Sequence, residues 1–341
     1  MGRFATLKDV AKLAGTTAAT VSYVLNEKEG RYISEDMRAR VLKAAEELDY
    51  IKSVGASCLK GKDRRLIGLL VPQYENQFFT RIAIACESVF MNEGFDIMIC
   101  NTFDNPDRER DIIKRMMEQR VDGIMITPTI NGVENTRIIR RVGVNMVVID
   151  RSLPGIGGYN WVSTDNYECG EKGASYLFSK GHRKIAYIGW DSGIPDLDVR
   201  YKAVLGQADE YEIPHEDVII ETGEFTTEAG YRMTEKILSE HPDCTAFFYG
   251  FNIQAKGGVD CFRDKGIRIP EDKSVILIGT PDWASTGFND FARIDMGESE
   301  LGKKAAEMLL EAIRNESGEP RQITQGCTLI EGRSVLDLNR R

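Results

Sequence analysis

The chain has 341 residues, 42% hydrophobic and 28% charged, which is an ordinary globular mixture and excludes disordered, collagen-like and coiled-coil repeat proteins. Its formal net charge of -9, from 44 basic and 53 acidic residues, taken whole argues against a nucleic-acid binder. The charge is uneven, however: residues 1–65 hold 13 basic and 9 acidic side chains (+4) and the other 276 hold 31 and 44 (-13), so a small basic head on a large acidic body points to a separate nucleic-acid-binding module.

In chain order, the first fifty residues read as short helices. Thr6 caps the first through Asp9, three residues on, and Leu7, Val10, Ala11 and Ala14 share one face. Gly15 stands where a sharp turn with positive φ is cheap only for glycine. Thr17 caps a second helix with Val21, Val24 and Leu25 as its buried stripe. A third starts at Ser34, with Glu35 and Asp36 in its first turn and Met37, Val41, Ala44, Ala45 and Leu48 as its apolar positions.

From Leu66 the texture changes to short apolar runs at 66–71, 96–100, 123–127 and 146–150, then at 184–190, 218–221, 246–250 and 274–279. Amphipathic stretches at 79–93, 107–119, 168–180, 199–211, 226–239 and 252–265 lie between them. Near-continuous apolar strands alternating with helices imply parallel sheets covered on both faces. The fold class expected is therefore α/β, with a helical head and two similar subdomains flanking a cleft, where ligands bind at the carboxyl ends of strands. The segment 51–65 is basic, poor in large apolar residues, and bridges head to body.

Seven cysteines without C-x-x-C spacing disfavour a disulfide framework and a structural zinc site, and His182, His215 and His241 lack ligand spacing. No apolar run approaches the roughly 18 residues a membrane span needs, and the N-terminus has no apolar signal core, so a cytoplasmic protein without cofactor is expected. The turn after the first strand carries no G-x-G-x-x-G, and neither G-K-[ST] nor G-x-S-x-G occurs, which leaves an enzyme little support.

The stretch TLKDVAKLAGTTAATVSYVLN (6–26) fits a helix-turn-helix: small Ala11 lets the helices cross closely, and Gly15 makes the corner. Ala18, Ala19, Thr20, Ser22 and Tyr23 then face outward on a helix slim enough for a major groove. A packed helical hairpin with no nucleic-acid role would show the same pattern. Together with ISEDMRARV in the head and LIGLLVP, RVDGIMITP, GHRKIAYIG, RIPEDKSVILIG and TLIEGRSV in the body, the chain resembles the LacI/GalR family of transcriptional regulators over residues 5–336. The resemblance implies a helix-turn-helix domain at 1–50 and a hinge at 51–65. It also implies a periplasmic-binding-protein-like core of parallel α/β sheets at 66–341, with one subdomain at about 66–163 and 294–320 and the other at about 164–293 and 321–336.

By the same resemblance, a homodimer binds a pseudo-palindromic double-stranded DNA operator, and a small-molecule effector, a sugar or related metabolite, modulates the affinity. Ala18, Ala19 and Tyr23 match base-contacting positions. Thr6, Thr17, Thr20, Asn26, Ser34 and Arg38 match phosphate-contacting positions, and Ser22 lies on the same helix. Tyr23 stands where arginine is usual and cannot make arginine's bidentate contact to guanine, so modest base discrimination is expected. Leu59 matches the leucine wedge of a hinge helix and Ala56 its small neighbour. Lys52 in place of proline and Gly55 inside the segment depart from that pattern, and loop 27–32 looks about two residues longer than the family norm.

The cleft positions implied are Tyr74, Asn76, Phe78, Phe79, Asp150 and Arg151 on one side and Arg200, Phe225, Asn252, Asp282 and Trp283 on the other. Arg200 offers a fork of donors to hydroxyls or a carboxylate. Phe79 and Phe225 serve equally as core, and Asp150–Arg151 as a structural pair. Three departures argue for a less hydroxylated or anionic ligand, or none: Gln77 for proline, Phe251-Asn252 for Asn-Asp, and Pro281 for the first aspartate of a G-F-D-D turn. A regulator answering to a protein co-effector stays open. A solute-binding receptor of similar fold would lack the basic head.

Overall fold

The computed structural model describes residues 5–26, 32–50, 64–287, 289–316 and 318–340. They divide into two units, Met1–Arg64 and Arg65–Arg341.

The first unit holds helices α1 (Leu7–Ala14), α2 (Ala18–Leu25) and α3 (Glu35–Glu47). Each begins on a hydroxyl cap. Thr6 accepts from the Asp9 N–H while Asp9 accepts from the Thr6 N–H, a complete capping box with aspartate in the glutamate position. Thr17 accepts from Thr20 N–H and Ser34 from Met37 N–H. Gly15 ends α1 at φ 66°, and Arg40 on α3 donates to the Ala14 carbonyl at 2.6 Å, satisfying a helix-end acceptor. The core is small: Val10, Ala11 and Ala14 meet Val21 and Val24 of α2 and Val41 and Ala44 of α3.

The second unit contains two six-stranded sheets. The first, in the order β13-β5-β4-β3-β1-β2, is wholly parallel, with β1 Leu66–Val71, β2 Asp96–Asn101, β3 Gly123–Ile126, β4 Asn145–Ile149, β5 Asn160–Thr164 and β13 Gln322–Gln325. The second runs β14-β12-β9-β8-β6-β7, with β6 Ile185–Trp190, β7 Val218–Gly223, β8 Ala246–Tyr249, β9 Ser274–Ile278, β12 Ala292–Asp295 and β14 Thr328–Ile330. Only the β12–β14 pair is antiparallel. A two-residue pair, β10 Ser285–Thr286 with β11 Asn289–Asp290, stands apart.

Strands buried on both faces explain the near-continuous apolar runs: β1 buries Ile67, Leu69, Leu70 and Val71, and β9 is buried throughout. The covering helices of the first sheet include α4 (Gln77–Asn92), α5 (Pro106–Glu118), α6 (Val133–Val142) and α11 (Glu298–Ile313). Those of the second are α7 (Asn166–Ser179), α8 (Pro195–Glu210), α9 (Thr227–Glu240) and α10 (Asn252–Asp264). Helices α4 and α11 cross closely because Gly302 sits over the Ile82 carbonyl, where a Cβ would come within 2.6 Å.

The chain changes sheet a few residues later than the sequence boundaries at 293/294 and 320/321 placed it, since β12 still belongs to the second sheet and β13 to the first. Elements β5, α6, β12, α11 and β13, and the short pair β10–β11, were not among those expected. Strand β5 reads NWVST, too polar for an apolar run, although α11 carries a plain stripe in Leu301, Ala305, Met308 and Leu309.

The last segment is tied down by His182, whose Nε2–H donates to the Leu336 carbonyl at 3.1 Å, with Nδ1 at 2.9 Å from the Thr245 hydroxyl. Burial pulls this imidazole down to about 4.

Candidate functional sites in the head and the core

On α2, Ala19, Ser22 and Tyr23 stand on the side away from Val21 and Val24, whereas Ala18, expected to face outward, packs against the head core one turn before Val21. Ala19 is exposed, and Ala18, Thr20, Ser22 and Tyr23 are half-buried. Asn26 turns back to donate to the Ser22 carbonyl at 2.6 Å and to its hydroxyl at 3.2 Å, closing the end of the helix. Thr6, Thr17 and Ser34 are the caps of all three helices, and Thr17 and Thr20 share hydroxyls at 3.0 Å. The hydroxyls thus sit at helix N-termini, where the backbone dipole favours an anion. Arg38 is exposed on α3.

In the core, the carboxyl ends of β1, β4, β6, β8 and β9 converge on one narrow cavity of about 40 Å³, well below the ~300–1,000 Å³ of small-molecule sites, so the cleft is nearly shut. One wall is aromatic. Trp190, ending β6, stacks on Phe225 (ring centres 4.8 Å apart), and Phe251 stands edge-on to Phe225 (5.4 Å) and Trp190 (5.9 Å). Gln254 holds this wall together, donating from Nε2 to the carbonyls of Gly189 and Glu224 at 2.9 Å each, the residues just before Trp190 and Phe225. Phe78 and Phe79 face it from α4 with their rings nearly perpendicular, 5.1 Å apart.

The polar floor is Asp150 and Arg200. Asp150 follows β4 with φ 67°, a left-handed conformation that aspartate tolerates better than most residues. Burial pushes its carboxyl up, only partly offset by the positive charges of Arg151 and Arg200. Among the described residues no donor hydrogen-bonds that carboxylate. Arg200 is buried and committed: Nε donates to Asn166 Oδ1 (2.8 Å), Nη1 to the Gly250 carbonyl (2.6 Å), and Nη2 approaches Met296 sulfur (3.5 Å). Its guanidinium lies 4.5 Å from the centre of the Phe251 ring. Among the described residues no group of three or more His, Cys, Asp or Glu is arranged to hold a metal ion, and the described cysteines are free thiols.

Residues 6–53 match the model of bacterial regulatory proteins of the lacI family, and residues 174–335 match the periplasmic binding protein-like domain. The HTH-type transcriptional repressor PurR of Vibrio atlanticus (strain LGP32) is 31% identical over 339 residues, covering 98% of this chain and 100% of that protein. The chain belongs to the lacI family of bacterial regulatory proteins. It is accordingly a DNA-binding transcriptional repressor, not an enzyme. The lac repressor dimer solved on its operator with an anti-inducer superposes with a TM-score of 0.82 at 22% identity, over 98% of this chain and 100% of that one, a likeness of fold. A lacI-family regulator from Enterococcus faecalis V583, solved with bound ribose, superposes with a TM-score of 0.70 at 25% identity over 80% of this chain and 99% of that one.

Of the cleft residues expected in this repressor, Asn76, Phe78, Phe79, Asp150, Arg151, Arg200, Phe225 and Asn252 line the one cavity. Three do not. Tyr74 points to the outer side of the first sheet, where its hydroxyl donates to the Ile99 carbonyl at 2.9 Å. Asp282 lies exposed on the rim and pairs with Arg81 at 2.9 Å. Trp283 packs on Phe291, ring centres 5.6 Å apart, at the edge of a separate groove. Arg151 is a structural partner, but of Asp104 (2.8 Å), not of Asp150, and its guanidinium lies 5.4 Å from the Trp190 ring centre.

Trp190 and Phe251 were missed, although each ends an apolar strand run at the carboxyl edge where ligands bind. Ala56, Leu59, the hinge departures at Lys52 and Gly55, and most of the 27–32 loop lie outside the described residues.

Proposed function

We propose that this repressor binds a pseudo-palindromic operator as a homodimer, and that a compact, flat molecule in the core cavity modulates that binding. Ala18, Ala19 and Tyr23 meet base edges, and Ser22 lies beside them. Thr6, Thr17, Thr20, Asn26, Ser34 and Arg38 meet phosphates, with Ala56 and Leu59 acting in the hinge. The basic head supports this reading, and so do three hydroxyl-capped helix N-termini. The protein then works where the DNA is, in the cytoplasm; none of its described helices is long and apolar enough to cross a membrane. Pairing of two copies is supported by an apolar face on the first sheet's side: exposed Tyr74, Ile84 and Met91 lie near the edge strand β2, whose Ile97 and Ile99 are half-buried.

The observation that carries the ligand reading is the buried Asp150 carboxylate, which no protein donor satisfies, beside Arg200 and under an aromatic wall. A polar group of that kind costs free energy unless something hydrogen-bonds it. A ligand with ring N–H or hydroxyl donors towards Asp150, an acceptor towards Arg200 and a flat face against Trp190 and Phe225 completes the site. A second reading, a pentose stacked on Trp190, is favoured by the ribose in the Enterococcus faecalis relative. Calorimetry with nitrogen heterocycles and pentoses, paired with operator binding with and without each, tests both. Binding that survives Asp150→Asn unchanged sinks the role of that carboxylate, and a panel in which nothing binds or shifts operator affinity sinks the ligand reading, leaving a protein co-effector.

A further inference from the structure

The rim of the cleft is bridged by a cluster of hydrogen bonds, most of them through side chains. From the first half, α4 presents Gln77 and Arg81, one helical turn apart. From the second half, β9 runs into Thr280, Pro281 and Asp282. Gln77 Nε2 donates to Asp282 Oδ2 at 2.6 Å, and Gln77 Oε1 accepts from the Asp282 N–H at 2.7 Å. Arg81 Nη2 donates to the other carboxylate oxygen at 2.9 Å, and Nη1 donates to the Thr280 hydroxyl. Both oxygens and the amide of Asp282 are thereby held by one helix of the opposite half. Deeper in, Asn252 Nδ2 donates to Asn76 Oδ1 at 3.3 Å. Elsewhere across the cleft, the Ser152 N–H donates to Asp196 Oδ2 at 3.0 Å.

A site built between two bodies usually draws its closing free energy from the ligand that bridges them. Here the protein supplies those bonds itself. Two of the positions that depart from the family pattern form this contact: Gln77 provides the amide, and Pro281, with φ near −67°, stiffens the turn that presents Asp282. Asp282 is 77% exposed, so any one of its bonds is worth little in water, but three converge on a single residue and share the cost of ordering it.

We propose that Gln77, Arg81, Thr280 and Asp282 form a clasp by which the protein's own side chains hold the core closed over the cavity, so that a ligand enters only when the clasp opens. This rests on the cavity being the ligand site. It makes the open form the binding-competent minority, and apparent ligand affinity falls in proportion to its population.

Hydrogen–deuterium exchange of the full chain without ligand tests the clasp independently of any ligand. The variants are Asp282→Ala, Arg81→Ala and Gln77→Pro, the last at the first position of α4, where proline is accommodated. The expected result is exchange faster by about threefold or more in segments 250–253 and 278–282, with the buried strands β3 and β9 up to residue 277 at their wild-type rates. Wild-type rates at the cleft in all three variants would overturn the proposal, and so would acceleration spread evenly over the core. Closure measured this way standing while no small molecule binds would condemn the ligand reading and keep the clasp.

Discussion

The head and the cleft are built on opposite plans. In the head, helix N-termini are satisfied by residues three positions away, Thr6 with Asp9, Thr17 with Thr20, Ser34 with Met37, and all of the described functional side chains fall within 33 consecutive positions, Thr6 to Arg38. In the cleft, Arg200 reaches Asn166 and Gly250, and Gln254 reaches Gly189 and Glu224, contacts that only tertiary folding brings together. A local plan spreads its stability over many small, independent contributions. A plan of buried, mutually dependent polar groups concentrates it in a few residues, because each orphaned partner costs its full desolvation.

The largest expected effect separates the two plans most sharply. Arg200→Ala strands the Asn166 and Gly250 oxygens and strips Asp150 of a compensating charge, so the core should lose about 2–5 kcal/mol in urea denaturation, as when two buried acceptors lose a charged donor. A loss below about 1 kcal/mol would mean that the network relaxes as readily as a surface one.

Next comes the acid sensitivity of a buried imidazole, which the core has in His182 and the histidine-free head lacks. His182 is neutral when folded at pH values where the unfolded chain already takes a proton. Its contribution is therefore complete above about pH 6.5 and drains away as pH falls towards about 4, up to about 3 kcal/mol in all. His182→Gln should flatten that part of the stability curve relative to wild type. Parallel curves would place the acid loss elsewhere.

In the head, Gly15→Ala puts a Cβ at φ 66° and 2.5 Å from Arg40 Nη2, for an expected cost of about 1–2 kcal/mol, read as a lower melting temperature of the head transition with the core transition unmoved. The smallest effect is Tyr23→Ala. Operator affinity should change by less than about tenfold, with preference relaxed at a single base pair, since a tyrosine offers no bidentate guanine contact. Unchanged preference across operator variants would take Tyr23 out of base reading.

These contrasts also explain what was legible. Capping, the Gly15 corner and the apolar stripes of the head follow from spacings of three and four, so the helices and their starts were readable residue by residue. Sheet strands buried on both faces were readable as apolar runs, while β5 was not, because its buried Ser163 and Thr164 are polar. In the cleft, Asp150, Arg200 and Phe225 were placed through resemblance. Tyr74 went astray because a hydroxyl bond to β2 turns it outward, and Asp282 because α4 captures it at the rim.

By itself the sequence settles the basic head and acidic body, the three head helices, the apolar core strands, and the family of regulators to which the chain belongs, since each depends on neighbours along the chain or on composition. Only the tertiary structure decides that Arg200 is spent on Gly250 and Asn166, that Asp150 is buried without a donor, and that Gln77 closes on Asp282. Hydrogen bonds and desolvation act through distances of a few ångströms, and Gln77 and Asp282, 205 positions apart, meet at such a distance only once both sheets have formed.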